Sequence, residues 1–287
     1  MIIDFRLRPP ARGFLNLSLF RDVQRSARMS RCFGMEQAPS TTQRSPELLL
    51  QEMDAAGIDC GVVPGRRAHA FLGNVSNEDI CAILQDYPNR FIGVAGIDPS
   101  DKYKAVDEID RFVVNGPLKG VGMEPGLLPV PMYPNDRRIY PIYEKCEAEG
   151  IPLLLMAGGG NGPDAGYSAP MIIDQIAADF PKLTIINTHG GYPWVTEILF
   201  VAYRRPNVYI CPDMYLFNQP GWQDYVTAAN FALQDRFLFG SAYPLMPIGE
   251  SLTIFKSLFR EDVLPKLLWK NASELFNIQL PQEETSC

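Results

Sequence analysis

The 287-residue chain contains two histidines, His69 and His189, and that scarcity limits the chemistry open to it. A catalytic zinc takes about three protein ligands drawn from His, Cys and carboxylates. His69 lies in no ligand pattern, so a zinc site would have to combine His189 with acids such as Glu124 and Asp213. Against it stands Arg6-Leu7-Arg8, two guanidiniums that repel a dication at close range. No cofactor is therefore expected, with a zinc ion as the minor alternative. What paired arginines do well is grip a carboxylate or phosphate, because each offers a planar fork of donors. Arg66 is a candidate third clamp. His189, set before Gly190-Gly191, is the candidate proton carrier, and Glu124 and Asp213, each beside a proline, are candidate bases. The plainer alternative is that Asp4, Glu124 and Asp213 neutralise the arginines and the cluster only ties strands together.

These residues fall at the ends of short apolar runs, which recur eight times with helix-period segments between them. The runs are Ile2 to Leu7, Cys60 to Pro64, Phe91 to Ile97, Gly120 to Glu124, Pro152 to Met156, Thr184 to Thr188, Val208 to Cys211 and Arg236 to Gly240. Continuous apolar character suits parallel strands covered on both faces. Helix signals separate them. Ser45-Pro46-Glu47 opens a segment closed by Gly57, and Ser76 with Asp79 makes a capping box. Prolines or glycines bound the segments 141–149, 170–180, 193–205 and 220–234. The whole predicts an α/β fold, a single-domain (β/α)8 TIM barrel over 1–287. A region of about 11–42 is inserted after the first strand, and a short helical extension ends the chain. On a regular strand Arg6 and Arg8 share a side with Asp4 and face the mouth, while Phe5 and Leu7 face the helices. Arg21, Arg25, Arg28 and Arg31 in the insertion read as a solvated helix face. Tyr215 and Tyr243 read as substrate-contacting pocket wall, and Trp194, Trp222 and Trp269 as helix packing. The run Gly158-Gly159-Gly160-Asn161-Gly162 lacks the lysine and hydroxyl of a phosphate loop.

Several motifs, in this order and at these elements, carry a resemblance. They are Met1-Ile2-Ile3-Asp4, Ser76-Asn77-Glu78, Tyr87-Pro88-Asn89-Arg90-Phe91, Thr188-His189-Gly190-Gly191 with Pro193-Trp194-Val195, and Phe239-Gly240-Ser241-Ala242-Tyr243-Pro244. Over most of its length the chain resembles the amidohydrolase-related TIM barrels of the aminocarboxymuconate-semialdehyde decarboxylase type. The resemblance implies a metal held by H-x-H after strand 1, histidines after strands 5 and 6, and an aspartate after strand 8. Here those positions read Arg6-Leu7-Arg8, Met156, His189 and Ala242, so only the histidine is kept.

The expected function is thus a metal-independent, lactonase-like hydrolase acting on a small carboxylated substrate. Arg6, Arg8 and Arg66 would hold the substrate, and His189 with Asp213 or Glu124 would move protons. A non-oxidative decarboxylase of the same superfamily is the alternative, and an inert barrel kept as a binding protein is the alternative from another class. A charge of −7, from 26 basic and 33 acidic residues, offers nucleic acid no general attraction. The apolar runs fall far short of the roughly 20 residues of a membrane span. The start carries no apolar leader, since Asp4, Arg6 and Arg8 interrupt it. A cytoplasmic enzyme with reduced thiols at Cys32, Cys60, Cys81, Cys146, Cys211 and Cys287 is expected. The family resemblance adds a mild expectation of a homodimer.

Overall fold

The computed structural model describes residues 1–278. Seven segments pair side by side, all parallel and in chain order: β1 (Ile3–Asp4), β2 (Cys60–Pro64), β3 (Phe91–Gly96), β4 (Val121–Met123), β5 (Leu153–Met156), β6 (Ile185–Thr188) and β7 (Val208–Cys211). The eighth expected strand forms no regular ladder, yet its backbone closes the ring. Leu238 N–H donates to Ile210 at 3.0 Å, while Phe5 and Arg8 N–H donate to Phe239 and Tyr243 at 2.8 and 3.1 Å. The segment 236–243 therefore bridges β7 and β1, and the fold is the TIM barrel.

The insertion after β1 is helical. A single turn at Arg12–Asn16 leads into α1 (Ser18–Arg21), α2 (Val23–Cys32) and α3 (Pro39–Gln43). Eight covering helices follow, one after each barrel segment. They are α4 (Pro46–Ala56), α5 (Asn77–Asp86), α6 (Lys102–Ile109), α7 (Tyr140–Glu149), α8 (Pro170–Asp179), α9 (Val195–Arg204), α10 (Trp222–Asn230) and α11 (Ile248–Leu258). The capping signals act as expected: the Ser45 and Ser76 side chains accept from the N–H of Leu48 and Asp79, and Gly57 ends α4 at φ +72°. α10 is shorter than 220–234, starting after Gly221 at φ +84°, a conformation that cannot continue a helix. No described helix is long and apolar enough to cross a membrane. The five described cysteines are free; Cys287 lies outside the described residues.

Two apolar layers organise the barrel. Outward-facing strand residues pack with helix residues such as Leu49, Met53, Ile80 and Ile83, whereas Val62, Val94, Leu154, Ile186 and Leu238 fill the interior. The short α12 (Asn271–Phe276) plugs the bottom of that interior with Ala272 and Phe276. One parity expectation fails here. Leu7 does pack toward the helices, but Phe5 turns inward and stacks on Phe276 at 5.4 Å. Phe5 N–H bonds to Phe239 and Leu7 N–H to Val62, opposite neighbours, although residues two apart on a regular strand share one. An extra residue is thus taken up between them, as in a bulge, and Asp4 accepts the Arg6 N–H at 3.0 Å across the bend. Beyond it Arg6 and Arg8 line the mouth.

Candidate active site

His189 leaves β6 and Asp213 leaves β7, so adjacent strand ends bring them together. His189 Nδ1 bonds to Asp213 Oδ1 at 2.9 Å; Oδ2 lies at 2.8 Å but out of line. On the ring's other side Arg6 Nη2 stands 3.4 Å from Nε2, and Arg6 Nε lies 3.5 Å from Asp213 Oδ2. A guanidinium only donates, so Nε2 accepts and the ring proton sits on Nδ1, toward the carboxylate. All three side chains are buried. Their backbone is unusual: His189, Asp213 and Ala242, at three successive strand ends, have φ of +64°, +44° and +64°. Non-glycine residues in that region carry strain that concentrates at functional sites. Gly190 makes the close approach possible, because a Cβ there would meet the Pro212 backbone and the Tyr225 hydroxyl at 2.8 Å.

A second cluster lies beside the first. Glu124, just past β4, accepts from Arg8 Nη2 at 2.8 Å and from Arg66 Nε and Nη2 at 2.6 and 3.2 Å. Burial alone would raise the Glu124 carboxyl, but the Arg66 and Arg8 charges outweigh it and hold it at about 2. Burial, together with the Arg6 and Arg66 charges, lowers the pKa of Arg8. Glu124 thus has the geometry of a counter-ion rather than of a base. Asp4, expected among the neutralising acids, instead accepts Ser241 Oγ at 2.5 Å and Ser241 N–H at 2.9 Å, and burial raises it to about 6.

The tyrosines form walls. Tyr215 stacks on Tyr192 at 4.5 Å and meets the His189 ring edge-on at 5.4 Å. Its hydroxyl occupies the place a side chain on Gly159 would need, and Gly159 sits at φ +63°, so the glycine run fits tyrosine packing. Tyr243 turns its hydroxyl to Ser40 at 2.9 Å, which bonds in turn to Glu52 at 2.5 Å; burial pushes the phenol up to about 12. Between these walls is a cavity of about 160 Å³, lined by Arg6, Arg8, Arg66, His189, Tyr215 and Tyr243. Asp213 and Glu124 stand behind that lining. Sequence reasoning missed the roof, where Ser18, Leu19, Arg25 and Met29 of α1 and α2 line the same cavity. Of the insertion arginines, Arg21, Arg28 and Arg31 are exposed but Arg25 is half-buried, which corrects the solvated-face reading at that position. The available signal was the four-residue spacing of Arg25 and Met29, which puts both on one helix face.

A family model described as Amidohydrolase matches residues 3–278. The chain belongs to this family. An uncharacterized TIM-barrel protein from Bordetella bronchiseptica is 45% identical, with 96% of this chain and 98% of that one covered and a TM-score of 0.93. A 2,6-dihydroxybenzoate decarboxylase from Rhizobium superposes with a TM-score of 0.69 at 17% identity, over 96% and 98% of the two chains. A dihydroxybenzoic acid decarboxylase from Polaromonas sp. JS666, solved with bound manganese, gives 0.70 at 16% identity over 98% of both. At such identities the likeness is one of fold. The Amidohydrolase resemblance implies a divalent metal at this mouth, and the donor set here does not fit one. Two guanidiniums, a thioether and a methyl group stand at four of its positions, and no three His, Cys, Asp or Glu residues among the described residues cluster as ligands. Arg6 instead brings a fixed positive charge against His189 and Asp213.

Proposed function

We propose that the chain is a metal-independent hydrolase that opens a small carboxylated lactone or ester. The observation that carries this reading is the Arg6 guanidinium held against a buried His189–Asp213 pair, in a cavity the size of one ring. A substrate carbonyl or carboxylate oxygen competes with Nε2 for the Arg6 donors and frees the imidazole lone pair. His189 Nε2 then takes a proton from water, and the hydroxide oxygen attacks the carbonyl carbon. Arg6 balances the charge that builds on the carbonyl oxygen. As the C–O bond breaks, His189 returns the proton to the departing oxygen, so water plus lactone gives a hydroxy acid. Asp213 holds the ring in the required tautomer and steadies the imidazolium. Glu124 keeps Arg8 and Arg66 aligned toward the substrate carboxylate.

Non-oxidative decarboxylation is the second reading, supported by the decarboxylases that share this barrel. It requires His189 to deliver a proton to carbon, whereas Nε2 faces the Arg6 donor and is placed to accept. Incubating the purified protein with carboxylated 2-pyrones and with hydroxybenzoates, with and without a chelator, separates the two. The hydrolase reading expects chelator-insensitive ring opening that falls about 10²–10⁴-fold in His189→Asn. Carbon dioxide release from a hydroxybenzoate, with solvent deuterium appearing on the product ring, would overturn it.

A further inference from the structure

The helices that cover a barrel normally turn polar residues to solvent, as α4 does with Glu47, Gln51 and Asp54 and α11 with Glu250, Thr253 and Lys256. α9 departs from this pattern. Its outward arc is centred on Phe200, 61% exposed, with Tyr203 beside it at 65%. Two aromatics at those exposures show roughly 200–300 Å² of ring surface to water. At about 3.6 residues per turn, Glu197 and Arg204 lie along one flank of Phe200, and Thr196 and Tyr203 along the other. The members of each flank are seven residues apart, roughly 10 Å along the helix axis. Glu197 makes no ion pair among the described residues and accepts only from the neighbouring Thr196 hydroxyl at 3.0 Å. Arg204 reaches Asp174 at 3.3 Å, but Arg205 holds Asp174 more closely at 2.7 Å, and the Arg204 side chain is 46% exposed. The arc thus carries an apolar centre and two opposite charges with capacity to spare.

We infer that α9 is the contact helix of a homodimer, packed antiparallel against the same helix of a second copy across a two-fold axis near Phe200. A two-fold interface sets one patch against itself, so each residue must find its complement within that patch. An antiparallel crossing reverses direction along the helix and keeps the flanks matched. Glu197 then meets Arg204 of the second copy, and does so twice, Tyr203 covers Thr196 on the opposite flank, and the two Phe200 rings meet at the axis. A parallel crossing would set Glu197 on Thr196 and Arg204 on Tyr203, leaving the Glu197 charge unanswered. α8 and α10 pack beside α9, and their outward faces, with the exposed Met171 of α8, supply the rest of the roughly 800 Å² per copy that a stable interface takes. None of this depends on the reaction proposed above, because no residue of the mouth takes part.

Sedimentation equilibrium of the intact protein tests it. The wild type should be dimeric at about 10 μM. Phe200→Glu, which sets two carboxylates at the axis, should raise the dimer dissociation constant at least about 100-fold while circular dichroism remains that of the folded chain. Glu197→Lys should raise it about tenfold, because like charges then face each other at two places. Adding Arg204→Glu swaps the pair and should restore association, with Asp174 still held by Arg205. Tyr103→Glu, at an exposed aromatic of α6, should leave the dimer unchanged. A monomeric wild type would leave this face to another occupant and overturn the inference. A dimer that persists in folded Phe200→Glu, one that Tyr103→Glu disrupts instead, or a charge swap that fails to rescue Glu197→Lys would overturn it equally.

Discussion

Glu124 sits between two guanidiniums where little water reaches, and this sets what its loss costs. Glu124→Gln strands Arg8 and Arg66 as buried, uncompensated charges, so it should destabilise the fold by about 3–5 kcal/mol in urea unfolding. The two perturbed acids also pull stability in opposite directions with pH. Glu124 is held at about 2, below its ordinary 4.5, so its contribution is present above pH 4.5 and is lost as pH falls toward 2. Asp4 is raised from 3.8 to about 6, so its folded form binds the extra proton and stability falls as pH rises between those values. Relative to Asp4→Asn, the wild type should therefore lose about 2 kcal/mol between pH 4 and pH 6.5. A difference that is flat across that window would show that Ser241 offsets the burial of Asp4 fully.

At the scale of elements, the bulge in the first strand and the α12 plug act together. Phe5 can turn inward because Phe276 receives it from below, and the shift in parity delivers Arg6 and Arg8 to the mouth. Phe276→Ala should lower stability by about 3–5 kcal/mol while leaving benzoate affinity within twofold, since the cavity lies at the opposite end of the barrel. The strands and capped helices were readable because apolar runs, Ser45, Gly57 and Ser76 act locally. His189 and Asp213 were readable as candidates at neighbouring strand ends, but their hydrogen bond to each other was not. The bulge was not readable, because alternation presumes an unbroken ladder and nothing in Ile3-Asp4-Phe5-Arg6 marks the interruption. The roof was marked only by the four-residue spacing of Arg25 and Met29, one arginine among four in the insertion, and its place over Phe71 is a matter of tertiary packing. The Ser40–Tyr243 contact joins residues too far apart in sequence for any local rule to pair them.

Across the whole molecule, an acidic chain of net charge −7 holds an arginine-lined cavity, so the mouth is expected to attract anions against the field of the remainder. Raising sodium chloride from 20 to 500 mM should weaken benzoate binding severalfold and leave benzamide binding unchanged, as screening requires. A salt response equal for the charged and the neutral probe would place the attraction elsewhere. Ring closure has a consequence for biosynthesis. Phe5 pairs with Phe239, and at translation rates of roughly 5–20 residues per second its partner leaves the ribosome only after tens of seconds. During that interval the nascent N-terminus presents an unmated strand edge beside Phe5 and Leu7, an invitation to stick to other chains. A holdase at the exit tunnel would be needed most by this part of the polypeptide.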